Sequence, residues 1–194
     1  MNYLAHIFLS HNDPSIVFGN FMTDMMTIHE IRKWPENLQK GVALHRYIDD
    51  FTDHNLTNRN RVLSLHPYFG KYASVVLDIY YDYILFHLWD EYTEIDFDSF
   101  CNQHYEHILS YKDMVPARLT RRVDNMTRYN FLHSYTSIEG IRNTFDRLDQ
   151  RAKYPTGFDK ATDVLLHMKM DLIRDFNIFF PAMIRKTKGF LDRY

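Results

Sequence analysis

The sequence predicts an all-α protein, a single-domain helical bundle spanning residues 1–194. Three observations carry that reading. Apolar residues recur at spacings of three and four over long windows, the period of a helix with one buried face. Glycine and proline are sparse, six of each, which leaves few turn signals. No Asn-Gly or Asp-Gly step marks a β-hairpin. There is no internal repeat, no charge block and no linker long enough to divide the chain.

Taken in order, Tyr3 to Ser10 is short and apolar. Asp13-Pro14 has the form of an N-cap followed by proline at the first helical position, opening a helix to about Asp24. Met26 to Asn37 mixes His, Arg, Lys and a Trp-Pro step and predicts a surface loop. A helix is expected from Pro35 or Glu36 to Phe51 and another from Thr57 to Leu65, with Pro67 reopening a helix to about Glu91. Asp96 caps a segment to Tyr111, Pro116 opens one to about Ser134, and Ser137 caps one to about Arg151. Tyr154-Pro155-Thr156-Gly157 breaks the chain. A long last helix starts near Asp159, and Pro181 is expected to kink or interrupt it.

Composition narrows the function. A 45% apolar chain with 16% aromatics excludes disorder. One cysteine, Cys101, excludes a disulfide framework and a cysteine-based zinc cluster, and fits a reducing compartment. A net charge of −2 gives no general attraction to nucleic acid. No stretch approaches the length of a membrane span, and the start lacks the basic region of a signal peptide, so a cytoplasmic globule is expected. No nucleophile elbow, Walker loop or Rossmann glycine pattern occurs.

Ionisable groups recur inside apolar segments. Val75 to Trp89 has twelve apolar or aromatic residues of 15, on all sides of a helix, yet carries Asp78 and Asp82 one turn apart. Buried carboxylates need protonation, a basic partner or a metal ion. They can also face a watery groove or an Arg or Lys. His45, Asp49 and Asp53 are spaced i, i+4, i+8 and form one polar stripe, which suits a divalent metal with mixed nitrogen and oxygen ligands. The alternative is a histidine bonded to its i+4 carboxylate on a solvated face. His6 stands alone in an apolar run, as a core histidine or a ligand. Asn20 and Asp24 share a helical face, and Gly19 before them admits a close approach of backbone or substrate. Convergence of His6, Asp24, His45, Asp49, Asp78 and Asp82 on one cation would compensate the buried charges together.

The same stretches resemble the acyl carrier protein phosphodiesterase family. The resemblance rests on Met1-Asn2-Tyr3-Leu4-Ala5-His6, Gly19-Asn20 with Asp24, His45-Arg46-Tyr47-Ile48-Asp49 with Thr52-Asp53, and Leu77-Asp78 with Asp82. It covers about the first half of the chain. It implies a helical fold related to the HD-domain metal phosphohydrolases, a manganese-type divalent cation (Mg2+ or Fe2+ being the alternatives), and an acyl carrier protein as partner. The implied reaction cleaves the phosphodiester joining 4′-phosphopantetheine to a serine of the holo-carrier. Two departures stand out: no adjacent His-Asp pair occurs, and Tyr83 follows Asp82 where a family histidine is expected.

On that resemblance, His6, Asp24, His45 and Asp82 are expected to ligate the metal, and Asp49, Asp53 and Asp78 to support the ligands or act as base. Arg46 is expected to neutralise phosphodiester charge, and Asn20 to meet substrate. Arg118 and Arg122, on the helix after Pro116, are expected to meet the acidic carrier. Hydrolysis of a different, smaller phosphoester and a noncatalytic helical binding protein are the competing functions.

Overall fold

The structure, a computed structural model, describes residues 1–193 and contains no strand among them. Its helices are α1 (Tyr3–Phe8), α2 (Pro14–Met22), α3 (Ile28–Ile31), α4 (Glu36–His54), α5 (Leu56–Phe69), α6 (Ala73–His87), α7 (Trp89–Tyr92), α8 (Phe97–Ser110), α9 (Ala117–Arg128), α10 (Ile138–Asp149) and α11 (Ala161–Leu191). The all-α reading is borne out. None of these helices is long and apolar enough to cross a membrane.

The expected caps at Asp13, Asp96 and Ser137 are all made: each side-chain oxygen accepts an N–H of the first helical turn. Several boundaries differ from expectation, each for a local reason. Thr27 and Glu30 form a capping box, which nucleates α3 inside the segment expected to be a loop. Asn55 caps α5, and Pro67 falls in its last turn instead of opening a new helix. The break comes at Gly70, whose φ of 52° favours a residue without a Cβ. The helix after Pro116 ends at Arg128, because Asn130 turns left-handed (φ 49°) and leads into a 3-10 turn, Phe131–Tyr135. Pro181 does not interrupt α11. Phe179, Phe180 and Met183 around it are wholly buried, and that packing offsets the missing hydrogen bond.

Helix α6 is the axis of the molecule. Nine consecutive residues, Leu77 to Leu85, include only one, Asp78, that is not buried. Helices α5, α11 and α1 pack around it, α2 crosses α4 and rests on α8, and α11 also covers α4, α5 and α10. The Arg61–Asp175 ion pair, 2.6 Å and largely buried, ties α5 to α11.

Candidate metal centre

The centre lies where α1, α2 and α4 meet, and two glycines set that meeting. A Cβ on Gly19 would stand 2.3 Å from the Leu38 carbonyl oxygen, and one on Gly41 would stand 2.5 Å from that of Ile16. Helices α2 and α4 therefore touch backbone to backbone. The residue after Gly19 is Asn20, and one turn beyond Gly41 is His45, so the crossing brings the two side chains together. Helix α1 is fixed separately. The two oxygens of Asp82 accept the N–H groups of Leu4 (2.8 Å) and Ala5 (3.0 Å), satisfying donors that a helix start leaves open. His6 is one residue further along.

Asn20 orients both imidazoles. It is fully buried, and its amide nitrogen donates to the His6 carbonyl and to Ser10 Oγ, both at 2.9 Å. A carbonyl can only accept, so the amide orientation is determined and Oδ1 is the atom that faces the rings. It lies 2.8 Å from His6 Nδ1 and 3.0 Å from His45 Nδ1. Both Nδ1 atoms must therefore be protonated, and both Nε2 atoms turn the other way. There they meet only oxygen acceptors. His6 Nε2 faces the Met1 carbonyl and Asp49 Oδ1, each at 3.1 Å. His45 Nε2 faces Asp24 Oδ1 and Asp49 Oδ2, again at 3.1 Å.

Neutral rings would point lone pairs at carboxylate oxygens, so each Nε2 calls for a proton or another cation. Two protons fit poorly, because the rings stack at 4.2 Å between centroids and 19° between planes. Two imidazolium ions that close repel. Burial holds His6 below its ordinary pKa, although its bond to Asp49 acts the other way. Burial also works against charge on His45, but Asp24 and Asp49 outweigh it and lift that ring to about 9. Asp49 responds in kind: burial opposes its ionisation, and the two imidazoles together pull it well below the usual carboxylate range. One atom from each of His6, His45 and Asp49 lies within 4.8 Å of the others, a group of two nitrogens and one oxygen able to hold a metal ion. Asp24, more than half exposed, flanks it on the solvent side.

Two further groups border the centre. The Met1 amine is buried between Asp78 (3.1 Å) and Asp49 (3.6 Å). Burial alone would lower its pKa, but Asp78 and Asp49 raise it. On another border, burial raises the pKa of the Tyr3 phenol against the pull of the Arg122 guanidinium beside it, and Asp24 acts on the same phenol.

The expected site residues thus divide. His6, His45, Asp24 and Asp49 come together, with Asp49 at the middle of the group instead of beside it. Asp82 does not join them. Its oxygens are held by the start of α1, and burial raises its pKa to about 7 despite those two N–H groups; it positions His6 through the backbone. Asn20, expected to meet substrate, is enclosed and holds the rings. Asp78 pairs with the Met1 amine, and Asp53 is exposed at the end of α4. Arg46 is exposed and sits about 100° around α4 from His45, outside the group. Arg118 is engaged elsewhere: it pairs with Glu30 (2.5 Å) and donates to the Met25 carbonyl (3.3 Å), so it does not form a free patch with Arg122. Tyr83 is buried against the His87 ring, 4.0 Å between centroids. Cys101 is a buried thiol that burial pushes up to about 12, as a structural cysteine should be. The sequence reading did not anticipate the Gly41 crossing or the two-ring role of Asn20. The Gly-Asn step of α2 and the glycine one turn before His45 were the available signals.

Fold and centre together define an all-helical protein with a buried histidine–carboxylate group suited to a cation. Comparison with known proteins takes this further. Residues 1–183 match the family model for acyl carrier protein phosphodiesterase. An acyl carrier protein phosphodiesterase of Salmonella agona is 24% identical over 193 residues, covering 96% of this chain and 97% of the relative. One of Klebsiella pneumoniae is 24% identical over 191 residues, covering 97% and 98%. No solved structure gives a significant match. The chain belongs to the acyl carrier protein phosphodiesterase family.

Proposed function

We propose that this protein is a metal-dependent phosphodiesterase that removes 4′-phosphopantetheine from a holo-acyl carrier protein and returns the apo-carrier. Family membership supports the substrate, and the acceptor-only surroundings of the His6–His45 pair support the metal. His6 Nε2, His45 Nε2 and Asp49 would hold the ion, with Asp24 completing the set. Two imidazoles beside carboxylates suit a first-row divalent ion of the manganese or iron type better than magnesium, which prefers oxygen alone. Such an ion, when bound, supplies Lewis-acid stabilisation of phosphoryl oxygens and lowers the pKa of water.

The protein's own groups do the rest. Asn20 keeps both Nε2 lone pairs directed inward. Asp78, whose pKa partial burial raises even against the pull of the Met1 amine, is a competent base for the attacking water. The water oxygen bonds to phosphorus while the bond from phosphorus to the carrier serine oxygen breaks. Asp78 takes the water proton and releases it to solvent, and the departing serine oxygen takes a proton from solvent, so that 4′-phosphopantetheine and a free serine hydroxyl result. Arg122, whose guanidinium stands beside the Tyr3 phenol on which Asp24 also acts, is the guanidinium assigned to balance phosphodiester charge and greet an acidic carrier.

The test is to incubate the protein with Mn2+ and holo-carrier and follow the carrier by mass spectrometry, with elemental analysis of the same preparation. The expected result is loss of the 4′-phosphopantetheine mass that a chelator blocks. Turnover of small phosphodiesters without any of the holo-carrier would leave a phosphohydrolase of different substrate. A protein that binds no stoichiometric metal and cleaves neither would be a helical binding protein.

A further inference from the structure

A cavity of about 390 Å³ opens beside the centre, between the end of α4 and the helices α5 and α6. Asp78 belongs to both: it lines the cavity and bonds the Met1 amine that also pairs with Asp49. The cavity therefore begins one ion pair away from the proposed ligands. Its volume lies in the range of small-molecule sites, about 300–1,000 Å³, and is far too small for a folded partner.

Its lining selects the chemistry of an occupant. Val62, Leu63 and Leu77 form an apolar wall, and Leu63 is 69% exposed with nothing covering it. Two carboxylates, Asp53 and Asp78, stand against one guanidinium, Arg59. With Asp49 one ion pair away, that balance repels phosphate and repels an acidic protein surface alike. Of the neutral polar groups, Thr52 Oγ1 donates to the Ile48 carbonyl, and Asn58 is held by the Thr52 carbonyl and the Tyr81 hydroxyl. The exposed Ser74 hydroxyl and Asp53 carboxylate are left to meet a ligand's amide or hydroxyl groups. An uncharged chain carrying both methyl and amide groups matches such walls.

We infer that this cavity receives the uncharged, amide-bearing pantetheine arm of the substrate, placing the arm on the Asp78 side of the centre while the acidic carrier approaches from the Arg122 side. This inference rests on the phosphodiesterase reading and adds the direction in which the substrate lies across the site.

Two variants test it without touching the proposed ligands or base. Ser74→Trp fills the cavity from an exposed position, and Leu63→Asp adds a third carboxylate to its wall. Each is assayed with Mn2+ on holo-carrier and on bis(p-nitrophenyl) phosphate, a diester with no arm. The inference expects KM for holo-carrier to rise about tenfold with kcat nearly kept, and KM for the armless diester to stay unchanged. Free pantetheine should inhibit wild-type turnover of holo-carrier and lose that effect in Ser74→Trp. Unchanged KM for holo-carrier in both variants, with the wild type active, overturns the cavity assignment alone, as does an equal loss on both substrates. A wild type that cleaves neither substrate overturns the phosphodiesterase reading, and this inference with it.

Discussion

One amide oxygen fixes the tautomers of two histidines, so Asn20 is the residue whose loss should reach furthest. Asn20→Ala leaves both rings free to turn and exchange tautomers. Cation affinity should fall by about 10–100-fold, the usual effect of losing a partner behind a ligand, and titration calorimetry with Mn2+ would measure it. His45 gives a second prediction, in pH. In the metal-free protein its pKa stands near 9 against 6.5 when unfolded. A raised histidine pKa contributes stability that is complete below about 6.5 and disappears as pH climbs through 9. The difference amounts to about 3 kcal/mol at most. Urea unfolding in chelator should show that decline, and saturating Mn2+, which takes the place of the proton, should remove it. A metal-free protein equally stable at pH 6 and pH 9.5 would contradict the charged His45–Asp24–Asp49 arrangement. Residue types were partly legible beforehand: His6, Asp24, His45, Asp49, Asp78 and Asp82 read as one group around a cation, and the first four come together. Asp82 read as a ligand because a carboxylate in a core helix looks alike whether it awaits a metal or two backbone N–H groups. Only the position of α1 distinguishes these, and spacing along α6 carries no information about α1.

Helices place these side chains, and the crossing of α2 on α4 is the sensitive point. Gly41→Ala drives a methyl into the Ile16 carbonyl and the Asn20 nitrogen, 2.5 and 2.8 Å away. Separating the helices should cost about 1–3 kcal/mol of stability and loosen the metal site with it. Gly189→Ala is the matched control: its Cβ meets nothing within 4 Å on α11, so a helix-favouring alanine should stabilise by up to about 1 kcal/mol. Denaturation midpoints of the two variants should move in opposite directions. Asp82→Asn tests the other anchor. It removes one acceptor from the start of α1, and the fold should weaken by about 0.5–2 kcal/mol. Metal should still bind, since Asp82 touches only backbone; abolished binding in a folded variant would return it to the ligand set. At this scale the sequence was a good guide wherever the cap and its helix are neighbours, as at Asp13, Asp96 and Ser137. Proline marked helix starts correctly at Pro14, Pro35 and Pro116 and misled at two other positions. Pro67 and Pro181 both lie inside helices that caps and buried aromatics sustain, and those supports come from parts of the chain that a local window does not include.

Across the whole molecule, the charged groups around the proposed site divide between two places: the carboxylates of Asp53 and Asp78 line the cavity, and the Arg122 guanidinium stands beside Tyr3, in a chain whose net charge is only −2. Arg118 stands apart from that division because Glu30 holds it. Arg122→Glu should therefore raise KM for holo-carrier in a way that added salt diminishes, while Arg118→Glu should chiefly disturb the packing of α3 on α9. Equal, salt-sensitive effects of the two would restore the joint patch expected from their spacing on α9. Net charge and composition do not reveal such a division, since it depends on which helices share the site.

The proposed chemistry requires a single cation between His6, His45 and Asp49. Titrating the chelator-treated protein with Mn2+ and following free ion by electron paramagnetic resonance tests it most directly. The expected result is one tight site per chain in the wild type, lost in Asp49→Asn and in His45→Ala while both variants keep their helical circular dichroism. Absence of a tight site, or one that both substitutions leave intact, would contradict it.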